Sequence, residues 1–547
     1  MKQELTPAPE MSPLAPEKLR WKCDEGSLDF ATTAELEANE EIIGQDRALR
    51  AISLGLEMTS PGYNIFLAGF VGSGRNTTIR QVLQRLDGGA STPDDLCYVY
   101  GFGKPGNPVA LYVPPGKGRR LEEGMAKMVR ALRREVPQVL EGEPYEQRRD
   151  QILEQYRGRQ RSIIAKFDER VQAAGFALVQ VQLGPVPTPQ VVPLVDGEPK
   201  FLNDLEDAAD AGEFDGTRLP AIREKLAELT SELEGVVRET MKIDTEMTAR
   251  LDEHEQQAVR PIVAGCFDTI REEFEDLAEV LVYLGRAEQH VLEHLERFSD
   301  PGQAAGANGD GAEPPATARR RADEIDLEYQ VNIVVDNHDA KGAPVIVENA
   351  PSASRLFGII ERKWVPQGEE PVDHMKIRAG SLHSANGGYL VLNANDLFGE
   401  PPYVWHSLKR TLRTGRLELL PDTSLLGPPA LKPEPVCISV KVVLIGDAHM
   451  YATLYAYDDD FKKIFKVRAD FDTEMPNTPE NLLQYGSFIQ RLVEQEKILP
   501  FDRSGVARIA EHGCRLSGRQ DRLSTRFYQI ADLVREASYF ASKDEAA

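Results

Sequence analysis

Two spacings of apolar residues divide this chain. In QDRALRAISLGLEM (45–58), Ala48, Ile52, Gly55 and Leu56 recur at helical spacing. A short apolar run, Asn64 to Ala68, predicts a strand; a glycine-rich turn, Gly69 to Gly74, follows, and then a helix from about 77 to 86. Strand, glycine loop and helix in that order form the first half of a parallel α/β unit, with Cys97–Tyr100 as the next strand. From 119 to 298 the period changes. Leu219, Ile222, Leu226, Leu229, Leu233, Val236, Thr240, Ile243 and Met247 alternate three and four apart. A second run does the same from Phe267 through Ile270, Phe274, Leu277, Leu281 and Leu284 to Val291, Leu295 and Phe298. Each run is the a/d seam of a coiled coil, or equally the core stripe of a plain helical bundle. Pro261 and Gly265 lie between the runs and predict a bend there. An earlier helix over 145–172 shows Ile152, Tyr156, Ile163 and Phe167, and 176–195 has the strand and turn residues of a small β element near the tip of a helical insertion.

Residues 299–320 form a Gly/Ala/Pro linker that cannot bury a core. Strand patterns resume at 329–335, 388–392 and 441–446, and helical spacing dominates from about 477. The expected organisation is an N-terminal segment (1–40, its first 20 residues mobile), a first core part (41–118), the insertion (119–298), a flexible linker (299–325), a second core part (326–475) and a helical lid (476–547).

Composition narrows the class. Of 547 residues, 41% are hydrophobic and 28% charged, which excludes wholesale disorder. Lys plus Arg is 64 and Asp plus Glu is 88, a net charge of −24, wrong for a protein that coats nucleic acid by counterion release. Cys23, Cys97, Cys266, Cys437 and Cys514 are far apart and suggest neither a zinc site nor a disulfide framework, but buried thiols in a reducing cytoplasm. The N-terminus has no signal-peptide core, and no apolar run approaches the ~20 residues of a membrane span. A soluble cytoplasmic protein is expected.

Four features carry chemistry. Gly69-Phe70-Val71-Gly72-Ser73-Gly74-Arg75-Asn76 fits G-x-x-x-x-G-K-[ST] in its glycines and departs in its last two positions. Gly69, Gly72, Ser73 and Gly74 would turn backbone N–H groups onto a polyphosphate at a helix N-terminus, with Arg75 keeping the Lys charge on a bulkier planar fork. Asn76 offers Mg²⁺ only an amide oxygen, and Thr77, rotated about 100° around the helix, is no obvious substitute. The alternative is a turn whose glycines serve backbone geometry alone. A strand then ends at Asn393-Ala394, where Asp-Glu would hold Mg²⁺ and polarise water. Asp396 is the nearest carboxylate, either a Mg²⁺ ligand or a helix cap. Asp447 ends a third strand, where it could sense the γ-phosphate or simply close a Gly-Asp turn. Arg468 and Arg526 are the candidate arginines for a neighbour's nucleotide and for the chain's own, against the plain reading of surface charges.

These pieces, in this order, resemble an AAA+ ATPase, and more narrowly the Lon-related ATP-dependent proteases of bacteria. The resemblance is carried by IIGQDRALRAI (42–52), SPGYNIFLAG (60–69), CYVYGFGKPGNPVALYVPPGKG (97–118), AGSLHSANGGYLVLNANDLF (379–398), VVLIGDAHMYATLY (442–455), DFKKIFKVRADFD (460–472) and LSTRFYQIADLVREASYFASKD (523–544). It implies an α/β P-loop core with a parallel sheet, split by a helical coiled-coil insertion and closed by a helical lid. It further implies ATP and Mg²⁺ as cofactors, a self-assembled ring (a hexamer) and protein substrates, with no role for nucleic acid or membrane. Members of this branch carry Arg in the phosphate loop, as at Arg75. The stretch between Leu356 and Gly380 resembles a substrate-contacting loop, with Trp364 as its grip. Relatives continue into a Ser–Lys protease domain; no small-residue motif here supplies its serine, so the chain is expected to act as a motor without peptidase activity of its own, working with a separate protease domain. A nucleotide-binding scaffold or sensor with little hydrolysis is the competing expectation, motivated by Asn76, Asn393 and Ala394. Leu516-Ser517-Gly518-Arg519-Gln520 resembles the signature of chromosome-structural ATPases, but the insertion is too short and the charge wrong for that class.

Overall fold

The computed structural model describes residues 15, 19–38, 42–70, 72, 74–86, 91–181, 188–211, 213–298, 327–362, 364–365, 368–369, 372–420 and 431–543. Ser73, the linker 299–325 and all but three residues of 1–20 lie outside them. The chain forms two compact units, one of residues 1–122 with 331–547 and one of residues 123–330.

The first unit is built on eight principal strands: β1 (Ile65–Ala68), β2 (Asp95–Val99), β3 (Val109–Val113), β4 (Val331–Val335), β5 (Val345–Glu348), β6 (Tyr389–Asn393), β7 (Lys441–Gly446) and β8 (Val467–Asp470). Five of them form a wholly parallel sheet in the order β8-β1-β7-β6-β5. β1 is apolar at every position, and β7 and β6 at all but one terminal residue each (Lys441 and Asn393), because both faces are covered. Phe66, Leu390, Leu392 and Leu444 pack into one cluster with Phe461, Phe465 and Leu408; Ile65, Leu67, Val391, Val443 and Ile445 pack into another with Ala48, Ile52, Ile79 and Leu83. The α/β core with a parallel sheet is therefore as expected.

The strand after the phosphate-loop helix does not join that sheet. β2 pairs antiparallel with β3 and β4 in a separate three-stranded sheet. The connection from β2 to β3 is short, which suits a hairpin; a parallel return needs a crossover of a dozen or more residues. The buried Asp95 carboxylate closes this sheet, accepting the N–H groups of Gly116 at 2.8 Å, Gly118 at 3.0 Å and Asn337 at 2.7 Å. Three amide donors satisfy an anion that would otherwise be costly to bury.

Three helices, Pro479–Glu496, Arg503–Ser517 and Phe527–Lys543, form the C-terminal lid around Leu482, Tyr485, Ile489, Val506, Ala510 and Ile530. Cys23, Leu28 and Phe30 complete the same core. Glu511 fastens this N-terminal segment, accepting from the Cys23 N–H at 3.3 Å and from Arg20 and Arg508. All five cysteines are free thiols; Cys437 is exposed and Cys266 half-buried, so the expected burial fails at these two, whose strand end and helix flank face solvent.

In the second unit, helix Glu143–Ala173 runs antiparallel to Leu219–Glu273, with Tyr145 stacked on His254 at 4.9 Å and ion pairs Arg159–Glu246 at 3.3 Å and Arg170–Glu232 at 3.2 Å. The antiparallel strands Phe176–Val181 and Thr188–Val195 pack at one end on Phe167, Val171, Leu229 and Leu233. The helix does not end at Pro261 and Gly265, where a bend was expected: Leu219–Glu273 is one helix of 55 residues. Proline in a helix interior costs about 3 kcal/mol. Here Val259, Val263 and Phe267 are fully buried on either side of it, and their packing exceeds that penalty. The chain turns later, at Phe274–Leu277, before helix Ala278–Glu293.

Candidate functional site

The five parallel strands end together, and the phosphate-loop residues sit at that edge. The register sets Ala68 of β1 beside Gly446 of β7 and Asp470 of β8, while Asn393 of β6 lies beside Ile445. Ligands of open parallel sheets bind outside the carboxyl ends of their strands. Gly69 donates its N–H to the Gly446 carbonyl at 3.3 Å, anchoring the loop at the end of β7. Gly72 and Gly74 both take φ +82°, a left-handed backbone that a side chain would strain. The helix Arg75–Leu86 starts directly behind them, with the Thr78 N–H on the Gly74 carbonyl at 2.8 Å. Its unpaired N-terminal amides and positive dipole end face the loop, an arrangement that favours an anion.

The side chains around this loop sort into three groups. Arg75 is half-buried and donates to the Gly446 carbonyl; burial pushes its guanidinium below its ordinary pKa, and Asp447 opposes that. Asn76 and Thr77 are exposed at the helix start. At the ends of β6 and β7, Asn393 and Asp447 both cap the helices that follow: the Asn393 side chain accepts from the Asn395 N–H at 3.0 Å, and Asp447 from the Met450 N–H at 2.7 Å. Asp396 is thus not the cap that one sequence reading made it. It is an exposed acid in the first turn of helix Ala394–Gly399, because Asn393 already holds the capping site.

The two arginines differ. Arg468 lies within β8, 2.7 Å from Asp470 and with its guanidinium 4.5 Å from the Tyr451 ring centre. Arg526, just before the last lid helix, lies 5.4 Å from the ring centre of Phe70, in the phosphate loop itself. Tyr528 reinforces that contact: a Cβ on Gly72 would stand 2.0 Å from its ring. The lid therefore touches the loop through Arg526 and Tyr528.

Sequence reasoning assigned no role to Gly44, Gln45, Phe70, Asp472 or Tyr528. The buried Gln45 amide pairs with the Asp472 backbone in both directions, donating to its carbonyl at 3.0 Å and accepting its N–H at 2.9 Å. Thr525 donates its hydroxyl to that same carbonyl, and its N–H to the Thr473 carbonyl at 3.0 Å. Gly44, at φ +69°, packs so closely on Met475 that a Cβ would stand 2.8 Å from the sulfur. These bonds join the first core helix, the end of β8 and the lid. The signals present were the stretches 42–52, 460–472 and 523–544, visible as resemblance and not as periodicity.

Mg²⁺ commonly binds through one or two protein oxygens with nucleotide phosphates and water filling the rest. Asp396 and Asn76 supply exposed oxygens of the right kind. Among the described residues, no group of three or more His, Cys, Asp or Glu could hold a metal ion without such help. Nor, among them, is any helix long and apolar enough to cross a membrane.

Three family models match: a LonB-like AAA domain at 341–472, an archaeal LonB AAA+ ATPase LID domain at 500–547 and a Lon-like LonC helical domain at 95–128. The archaeal Lon protease of Archaeoglobus fulgidus is 26% identical over 215 residues, 39% of this chain and 34% of that protein. That of Thermoplasma volcanium is 22% identical over 208 residues, 38% of this chain and 32% of that protein. The chain thus spans about a third of the length of these relatives. Among solved structures, NtrX from Brucella abortus is 14% identical over 48% of this chain and 58% of that one at a TM-score of 0.25, a likeness too low to carry any argument. Fold, loop and lid define an AAA+ P-loop module with a helical insertion. Within that class, the similarities are to Lon-related AAA+ proteins over the matched residues.

Proposed function

We propose that this chain is the ATP-driven motor module of a Lon-type protease. The observation that carries the reading is the phosphate loop at the carboxyl edge of the parallel sheet, touched from above by Arg526 and Tyr528 of the lid. In this reading the amides of Gly69–Gly74 and the N-terminus of helix Arg75–Leu86 cradle the phosphates of ATP. Arg75 moves from the Gly446 carbonyl to the terminal phosphates, and Arg526 registers the nucleotide from the lid. Asp396 and Asn76 would hold the Mg²⁺ of the nucleotide, which would neutralise phosphate charge when bound. Arg468 faces a second copy of the chain in a ring, a hexamer by family. Helix Ala448–Tyr457 supports such contact: Met450, Tyr451 and Leu454 pack on the core, but none of its side chains is fully buried and Tyr455 and Tyr457 are exposed. Protein substrates are gripped by the hairpin between Leu356 and Gly380, and peptide cleavage is supplied by a Ser–Lys domain acting with this motor in the cytoplasm.

A second reading has its own support. The strand end where a water-polarising Glu would stand carries Ala394, and Asn393 is committed to capping. A chain so built binds ATP and hydrolyses it slowly, as a sensor. Calorimetry with MgATP tests both readings, which fall together if the chain releases no binding heat and Arg75→Ala changes nothing. Phosphate release separates them: turnover abolished by Arg75→Ala supports the motor, and tight binding without turnover supports the sensor.

A further inference from the structure

The hairpin between Leu356 and Gly380 stands on two feet, and one carboxylate holds both. The first foot is helix Ala353–Phe357, ending at Gly358 with φ +83°. The second is Gly380 and helix Ser381–Ser384. Between them Ile359–Ile360 pairs antiparallel with Ile377–Arg378, and Trp364–Val365 with Gly368–Glu369 nearer the tip. The feet touch: a Cβ on Gly380 would stand 2.3 Å from the Gly358 nitrogen, and one on Gly358 2.5 Å from the Arg378 carbonyl oxygen. Glu348, the last residue of β5, lies directly beneath. Its carboxylate accepts from the Ser381 hydroxyl at 2.6 Å and the Ala350 N–H at 2.8 Å, and lies 3.6 Å from the Arg355 guanidinium. The Ser381 hydroxyl also lies 3.1 Å from the Arg355 carbonyl oxygen, closing the ring of contacts. Burial alone would raise the Glu348 carboxyl; the bonds from Ser381, Ala350 and Arg355 overcome it and hold the group ionised.

The same residue belongs to the nucleotide edge. Glu348 pairs with Leu392 of β6, one residue before Asn393, and β6 pairs with β7, whose Gly446 carbonyl receives Gly69 and Arg75. The geometry points to Glu348 as a positioning residue: it clamps both feet of the hairpin to the strand edge that carries the phosphate loop, so that displacement at that edge turns the hairpin as a unit about Gly358 and Gly380. With both carboxylate oxygens committed to fixed donors, Glu348 is not the base that activates water, although it is a half-buried carboxylate one strand from the expected place. The inference rests on the reading of the loop as an ATP site and extends it to the substrate hairpin.

Hydrogen exchange of peptides spanning 359–378 in the full chain, with and without MgATP, tests it, with ATP affinity read by calorimetry on the same samples. In the wild type, ATP should change hairpin exchange by about threefold or more, a sub-global opening shift. Glu348→Ala and Ser381→Ala should each abolish that response while ATP affinity stays within about twofold. Ser381→Ala keeps the carboxylate and guards against a Glu348→Ala chain that fails to fold. Variants that keep the ATP response overturn the clamp, as does a wild type that binds ATP with no change in the hairpin; the nucleotide reading survives both. A wild type that binds no ATP overturns both. Loss of phosphate release in Glu348→Gln with the hairpin response intact would make Glu348 the base and overturn its positioning role.

Discussion

The guanidinium of Arg526 sits 5.4 Å from the ring centre of Phe70, so a lid residue and a phosphate-loop residue are in cation–π contact across 456 positions of chain, 526 minus 70. Such a contact contributes about 0.5–2 kcal/mol depending on desolvation. Arg526→Ala should weaken ATP binding about tenfold or more, since it removes both this contact and the lid cation that the proposed reading gives to the nucleotide. Phe70→Ala should weaken it less. Calorimetric titration of the two variants and the double mutant measures the coupling; additive losses would show that the lid does not act through Phe70.

Among the described residues of the loop, Gly72 is the most constrained. Gly72→Ala meets both the Tyr528 ring and a φ of +82°. The backbone term alone costs about 1–2 kcal/mol. The variant should lose ATP binding while the far-ultraviolet spectrum is unchanged. Adding Tyr528→Ala should recover part of the loss, the part due to the clash. Full recovery would mean that the left-handed backbone is not required.

Asn393 separates stability from hydrolysis. Asn393→Ala removes the cap of helix Ala394–Gly399 and should cost about 1 kcal/mol in thermal or denaturant unfolding. Asn393→Asp keeps the cap and leaves stability nearly unchanged, because Asp caps as well as Asn. It also restores a carboxylate at the strand end and should raise phosphate release if the sensor reading holds. Equal turnover in wild type and Asn393→Asp would remove that position from the chemistry.

The pH dependence of stability has an identifiable source in His383. Burial lowers its imidazole to about 4, and its Nδ1 accepts the Gly380 N–H at 3.2 Å, so it folds neutral. The unfolded chain binds a proton near pH 6.5, hence stability is lost as pH falls from about 6.5 toward 4, by about 2 kcal/mol between pH 7 and 5. Urea unfolding at the two pH values should show that loss, and His383→Gln should flatten it. Glu511 acts in the same direction at lower pH. Its carboxyl, which burial alone would raise, is held below its usual value by Arg20, the Cys23 N–H and Arg508; that contribution is present above about pH 4.3 and is lost as pH falls further.

Much of the site was legible from local pattern. Gly72 and Gly74 are glycines because the turn needs positive φ, and the strand before and helix after them follow from apolar spacing over fewer than a dozen residues each. The caps were half legible: Asn393 and Asp447 stood out as polar strand ends, Asp447 as a phosphate sensor or a Gly-Asp turn, and capping was weighed only at Asp396, beside a Mg²⁺ role. The contacts that close the site were not legible. Arg526 was singled out as an arginine for the chain's own nucleotide, but its contact with Phe70 had no sign in the sequence, and Tyr528 and Gln45 carried no periodic signal.

By itself the sequence determined what a short window can encode: the glycine loop, the two-sided apolar strands, and the helical stripes of Leu219–Glu273 and Ala278–Glu293. Only the tertiary structure decided that β2 leaves the parallel sheet for an antiparallel one, that the helix runs through Pro261, and that the lid settles on the loop. The reason is one of range. Propensity and periodicity act over neighbouring residues, whereas strand partners, the burial that offsets a proline, and a contact between residues 70 and 526 depend on which distant surfaces are packed together.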